Sequence, residues 1–199
     1  MQQGKSPNSL KAKLSIGDQD YVEKLNRSLV QLGIDELIDL ADCCYQRAIE
    51  YYQDGATRSS MIDFSHSIAL ADNLAAYYYR GMAHTQLQEY AIAIADLTQV
   101  INRAAPDEIV DGFSLLGHAY DQRGLAHAKL RDYHTAIPDF DRALQLGVTS
   151  AATHREIAAG VLAGLEIQRE EAELERQHLA ELLRQKEERR KEAELERQR

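Results

Sequence analysis

Arg80-Gly81-Met82-Ala83-His84, followed by Leu87, Glu89-Tyr90, Ala93-Ile94 and Asp96-Leu97, returns 43 positions later. The second copy reads Arg123-Gly124-Leu125-Ala126-His127, then Leu130, Asp132-Tyr133, Ala136-Ile137 and Asp139-Phe140. Self-similarity at this spacing marks a repeat protein. Each copy is one supersecondary unit that cannot bury its apolar face alone, so it stacks on its neighbours. Stacked units present an extended surface, and such surfaces serve mostly to bind other molecules.

The periodicity around these copies is helical. Leu37, Ile38, Ala41, Tyr45, Ala48, Ile49 and Tyr52 keep the i, i+3, i+4, i+7 spacing of one buried helix face and predict a helix over 35–53. Asp54-Gly55 reads as a turn. Met61, Ile62, Phe64, Ile68 and Ala69 predict the return helix over 58–70, and Asp72-Asn73 breaks the pattern. Two further pairs follow, 74–87 with 90–102 and 112–130 with 133–146, turning at Gln88-Glu89 and Arg131-Asp132. Pro138 falls early in its helix, where a missing N–H costs less than it does in the middle.

Helix pairs of about 34 residues with this pattern resemble the tetratricopeptide repeat family. The second copy supplies Tyr77, Gly81, Ala93, Leu97, Val100 and Pro106, and the third Tyr120, Gly124, Ala136, Phe140 and Ala143. Residues 41–72 resemble a degenerate first copy, with Ala48, Ser60 and Phe64 in the corresponding places. His84 and His127 stand where the family usually has Tyr, and the chain has no Trp. The resemblance implies an all-α fold: a right-handed α-solenoid of stacked helix-turn-helix repeats, about 41–72, 74–105 and 112–147, within a domain spanning 20–148. The 43-residue offset leaves about nine residues more than the family period between copies two and three. They are expected to extend the first helix of copy three or to form a loop on one face.

In this family the first helix of each pair lines a concave groove. Counting from the Gly position, the resemblance places Asp42, Tyr45, Ile49, Tyr52 and Gln53 of copy one on that face. Copy two contributes Ala75, Tyr78, Met82, Thr85 and Gln86, and copy three His118, Asp121, Leu125, Ala128 and Lys129. The candidate partner-binding set is Tyr45, Ile49, Tyr52, Gln53, Tyr78, Met82, Gln86, Asp121, Leu125 and Lys129. Some members of the family hold a C-terminal carboxylate there with paired Lys and Asn. Here Tyr, Ile, Met, Asp and Leu occupy those places, so a carboxylate clamp for chaperone tails is not expected. An aromatic and apolar groove with Gln donors suits an extended segment or an amphipathic helix. Tyr gives large contact area at low rotamer cost.

The ends carry separate expectations. Residues 1–19, with Gly4, Ser6-Pro7-Asn8-Ser9 and Gly17, read as a tail, and Tyr21, Val22, Leu25, Leu29 and Leu32 as a helix ending at Gly33. Ile157, Ala158, Val161, Leu162 and Leu165 form an apolar stripe over the segment 149–168, expected to cap the last repeat. Residues 169–199 are a charged helical extension, in which Glu171 to Gln177 recurs almost intact as Glu192 to Gln198, three heptads on. Leu165, Ala172 and Leu179 fall seven apart with Leu182 beside them, making residues 165–199 a candidate self-association surface. Gln168, Glu175 and Arg189 weaken its second seam.

Composition sets the remaining bounds. A net charge of −9 disfavours nucleic acid as a partner. No apolar run is long enough to cross a membrane, and the polar first 20 residues do not read as a secretory signal, so a cytoplasmic protein is expected. Cys43 and Cys44 are neighbours on a helix, about 100° apart, which rules out a disulfide between them. The seven His lack metal-ligand spacing, and there is no nucleophile motif or phosphate loop. Neither a metal nor a cofactor is expected, and the reading is a non-catalytic interaction scaffold, with a self-assembling structural protein as the alternative.

Overall fold

The computed structural model describes residues 33–197, with helices α1 (Ile34–Gln53), α2 (Thr57–Ala71), α3 (Leu74–Gln86), α4 (Tyr90–Arg103), α5 (Leu115–Lys129), α6 (Tyr133–Gln145) and α7 (Ala151–Arg197). Between α4 and α5 lie two short strands, β1 (Ile109–Val110) and β2 (Phe113–Ser114). The expected tail over 1–19 and the helix ending at Gly33 lie outside the described residues. Two compact units are present, one running through Arg155 and the other from Glu156 onward.

In the first unit each helix packs against the next in order along the chain. The first helices of successive pairs also touch, α1 with α3 and α3 with α5. Small residues make the pairs possible. A Cβ added at Gly81 would lie 2.9 Å from Leu97 Cγ, and one at Gly124 would lie 2.7 Å from Phe140 Cε1. Ala48 takes the same place in the first pair, opposite Phe64, and both are fully buried. Phe64, Leu97 and Phe140 therefore fill equivalent gaps, as the sequence alignment of the copies predicts.

The turns inside the pairs repeat as well. Gly55, Gln88 and Arg131 all have left-handed backbone, at φ 74°, 62° and 63°. At each, the next residue's N–H reaches back across the helix end: Ala56 to Tyr51, Glu89 to His84 and Asp132 to His127, at 2.8–3.0 Å. These bonds satisfy carbonyls that the helix end leaves without partners. Between pairs, Asn73 caps α3 by accepting from Ala76 N–H at 3.2 Å, and Ser114 caps α5 by accepting from Gly117 N–H at 3.2 Å.

Of the two expectations for the insertion, the helix extension does not occur. Residues 112–114 do not extend the helix of the third pair. Val110 pairs with Phe113 and Ile109 with Ser114 in an antiparallel hairpin whose turn is Asp111-Gly112, at φ 51° and 83°. A two-residue loop with both central residues at positive φ matches the right-handed twist of the flanking strands, and Asp-Gly is a favoured sequence for it. The hairpin is the one β element in an otherwise helical described chain.

The second unit is the body of α7. It is a single helix in which Ile167, Leu174, Leu179, Leu182 and Leu183 are exposed, with Leu174 at 64%. Arg184 pairs with Glu181 and Glu188 along its surface, contacts worth tenths of a kcal/mol each.

Candidate functional site

The row formed by α1, α3 and α5 carries the residues assigned to the groove, and the structure sorts them into two groups. Tyr45 is 8% exposed and Tyr78 4% exposed. Tyr45 packs against Phe64, Tyr79, Ala48 and Ala76, with ring centroids 6.1 Å from both Phe64 and Tyr79. Tyr78 belongs to the next cluster, with Leu97, Val100, Leu115 and Ala119, and its ring lies 5.4 Å from Phe113. These two rings pack between repeats rather than standing open to a ligand. Inter-repeat gaps are wide enough to take an aromatic ring, and burial there outweighs exposure for so large an apolar surface.

Asp121 is buried as well. It is 3% exposed, and its carboxylate takes His154 Nδ1 at 2.7 Å. His154 stands on the first turn of α7 and also packs on Phe140, 5.6 Å between rings. With Ala151 fully buried and Arg155 paired to Asp141, this turn closes over the third pair and occupies Asp121.

The second group is accessible. Ile49, Tyr52, Met82 and Leu125 are half-buried, and Gln53, Gln86 and Lys129 are exposed. Gln86 Nε2 donates to Tyr52 Oη at 2.7 Å while its Oε1 accepts from Thr57 at 3.1 Å. These positions lie toward the C-terminal ends of the first helices. Of the self-association set, Leu165, Leu179 and Leu182 are exposed on α7, as is Ala172.

Residues that the sequence reading did not single out define the covered half of the row. Val110 packs on both clusters, and Phe113 stacks toward Tyr78 and His118, 4.6 Å from the latter ring. Asp111 accepts from Tyr79 Oη at 2.6 Å and from Tyr45 Oη at a long 3.4 Å. Burial first, and then the Asp111 carboxylate, push both phenols well above the ordinary tyrosine value, so they stay protonated donors. The signal for the hairpin was present as Ile109-Val110-Asp111-Gly112-Phe113, an Asp-Gly pair between apolar residues.

His84 and His127 occupy equivalent places and bond to the turn that follows them. His84 Nδ1 lies 2.6 Å from Glu89, and His127 Nδ1 lies 3.4 Å from Asp132. Among the described residues no group of three or more His, Cys, Asp or Glu is placed to hold a metal ion. No described helix is long and apolar enough to cross a membrane.

Residues 117–146 match the family model for the tetratricopeptide repeat. The third pair is a tetratricopeptide repeat. The three stacked pairs share the fold of solved tetratricopeptide-repeat (TPR) domains. The first TPR of Spaghetti (RPAP3), solved with the HSP90 peptide SRMEEVD, is 19% identical. The alignment covers 63% of this chain and 95% of that one, with a TM-score of 0.57. The Arabidopsis OM64 TPR domain is 20% identical over 62% of this chain and 98% of its own, TM-score 0.56. The second TPR domain of human RPAP3, solved with the HSP70 peptide SGPTIEEVD, is 22% identical over 64% and 98%, TM-score 0.53. No curated protein matches the chain. At these identities the likeness establishes the TPR fold and leaves the partner to be argued from this chain's own residues.

Proposed function

We propose that this TPR protein is a non-catalytic adaptor that binds a segment of another protein along the accessible half of its inner row. The observation that carries this reading is the juxtaposition of half-buried Ile49, Tyr52, Met82 and Leu125 with exposed Gln53, Gln86 and Lys129 on consecutive first helices. Apolar side chains supply area, and the Gln amides and one Lys supply orientation, the composition expected of a peptide groove. Spaghetti and human RPAP3 were solved with peptides ending in EEVD. This chain has Tyr45, Ile49, Met82, Asp121 and Leu125 where paired Lys and Asn would hold such a terminus, so its ligand is a different, less acidic segment. A net charge of −9 opposes a run of carboxylates over distances of about 10 Å at moderate salt.

The test is selection of peptides from a random display library on the full chain. Selected peptides are expected to lose about tenfold or more in affinity on Met82→Glu or Gln86→Ala. The SRMEEVD peptide is expected to bind no better than a scrambled control. Saturable binding of SRMEEVD that survives both substitutions overturns the reading.

A second reading rests on α7, where Leu174, Leu179, Leu182 and Leu183 stand exposed along one charged helix. If two copies pair through this segment, light scattering gives a mass above 22.4 kDa that Leu179→Glu with Leu182→Glu returns to the monomer value. A mass of one chain across the concentration range removes this reading.

A further inference from the structure

Val110 and Asp111 sit in the inner row as a bound peptide would. Val110 fills apolar space shared by the cluster of the first and second pairs and that of the second and third, and Asp111 receives the hydroxyls of Tyr45 and Tyr79 from two different first helices. Tyr52 lies beside them, its ring 6.1 Å from that of Tyr79, continuing the surface toward the accessible half. The attachment is slight. Each strand pairs through two residues, Ile109, Asp111 and Gly112 are exposed, Val110 and Phe113 are only half-buried, and the remaining local bonds run within 105–118, the last two joining Ser114 to Gly117 and His118. A two-stranded ribbon of this size is marginal by itself, and segments with few buried contacts open at low free energy.

We propose that the 109–114 hairpin is an internal occupant of the partner groove, and that the partner is a segment presenting one carboxylate beside an apolar residue, which displaces it. This rests on the adaptor reading above and names the chemistry its ligand must have. The carboxylate is held by two neutral phenol donors, so binding depends little on salt, in contrast to recognition by lysines. One acidic residue is accommodated, because Tyr45 and Tyr79 supply two donors and no described cation stands at the Asp111 carboxylate. The apolar residue takes the Val110 place, against the cluster of the first and second pairs and that of the second and third.

The experiment uses the full chain, wild type and Asp111→Ala, with a labelled synthetic peptide spanning residues 106–115 as probe. The tethered hairpin competes at an effective concentration in the mM range for a short linker. Wild type is therefore expected to bind the probe weakly, and Asp111→Ala about tenfold or more tighter. A probe carrying Ala in place of Asp111 is expected to lose that gain, as is the Asp111→Ala, Tyr79→Phe double variant. Amide exchange provides the second readout: Asp111→Ala is expected to lose protection at 109–115 while α1 to α6 keep theirs. Equal probe binding by wild type and Asp111→Ala, or a hairpin that stays protected, overturns the proposal. If library peptides still depend on Met82 and Gln86 in that case, the adaptor reading stands without displacement. If neither probe nor library peptides bind, both readings fail together.

Discussion

Asp96 receives two hydrogen bonds from Arg80, Nε to Oδ2 at 2.8 Å and Nη2 to Oδ1 at 2.7 Å, across the two helices of one repeat. The same fork joins Arg123 to Asp139 at 2.8 and 2.7 Å, and Arg47 to Asp63 at 2.5 Å for both bonds. In every repeat the partners are 16 residues apart. The third nitrogen reaches the preceding repeat: Arg80 Nη1 donates to Ser65 Oγ at 3.0 Å, and Arg123 Nη1 to Thr98 Oγ1 at 3.2 Å. One guanidinium thus fixes the register within its own pair and against the pair before it. Only Arg carries enough donors in a planar array to do both.

Removing the carboxylate leaves a half-buried cation without its main partner. For fully buried pairs this costs about 3–5 kcal/mol. Arg80 keeps some exposure, so Asp96→Ala is expected to cost about 2–3 kcal/mol, with Asp63→Ala costing more because Asp63 is fully buried. Replacing Arg80 and Asp96 together by Leu should recover most of the loss. Urea denaturation followed by circular dichroism decides it, and equal losses in the single and double variants would refute it.

The contact of Gly124 with Phe140 gives the second prediction. A methyl group at 124 meets an aromatic ring, with three ring atoms of Phe140 at 2.7, 2.9 and 3.1 Å, whereas at 81 it meets the branched end of Leu97. Alanine gains about 1 kcal/mol of helix propensity at either site, but overpacking costs about 1–3 kcal/mol. Gly124→Ala is expected to be net destabilising by about 1–2 kcal/mol. Gly81→Ala should cost less, because a leucine rotates away more readily than a ring in a fixed gap. Thermal melts that rank the two in the opposite order would contradict this packing account.

Gln88 and Arg131 hold left-handed backbone that the equivalent Gly55 adopts freely. The left-handed conformation costs a side-chain-bearing residue about 1 kcal/mol. Gln88→Gly and Arg131→Gly are therefore each expected to stabilise the repeats by about 0.5–1 kcal/mol after the entropy loss of glycine. The pair should add, since the sites lie in different turns. A lowered urea midpoint in either variant would show that these side chains contribute more than the strain they carry.

Acid stability is expected to depend on Asp63. Burial by itself would raise its carboxyl, but the His66 ring 3.6 Å away, the hydrogen bonds from Arg47 and the charge of Arg47 outweigh burial and hold it below the usual carboxylate value. In the unfolded chain the group returns to about 3.9. Between the folded and unfolded values the unfolded chain binds more protons, so this contribution is complete above about pH 5 and disappears as pH falls through the folded value. Asp63→Asn should lower stability at pH 7 and flatten its decline between about pH 5 and pH 3. Parallel stability curves for the two proteins would rule out Asp63 as a source of the acid dependence.

What was legible before folding was the recurring pattern of small, large and turn residues. The 43-residue echo located the helix pairs, the small residues at Gly81 and Gly124 opposite Leu97 and Phe140, and the turns after Gln86 and Lys129. Periodicity and close packing act through neighbours in sequence and through identical copies, so a linear reading captures them. The members of the Arg–Asp forks recur in the echo as Arg80, Asp96, Arg123 and Asp139, but their pairing needs the two helices side by side. The tertiary structure alone decided which inner-row residues remain accessible. The register of Tyr45 and Tyr78 along their helices predicts a place in the groove. That register does not reveal that the inserted residues 109–114 turn back over them, or that His154 covers Asp121. Both depend on where a non-repeating segment lands in space. A hairpin of four paired residues has too little local stability to choose its place, and it takes the one offered by the apolar gap between repeats and the two phenol hydroxyls beside it.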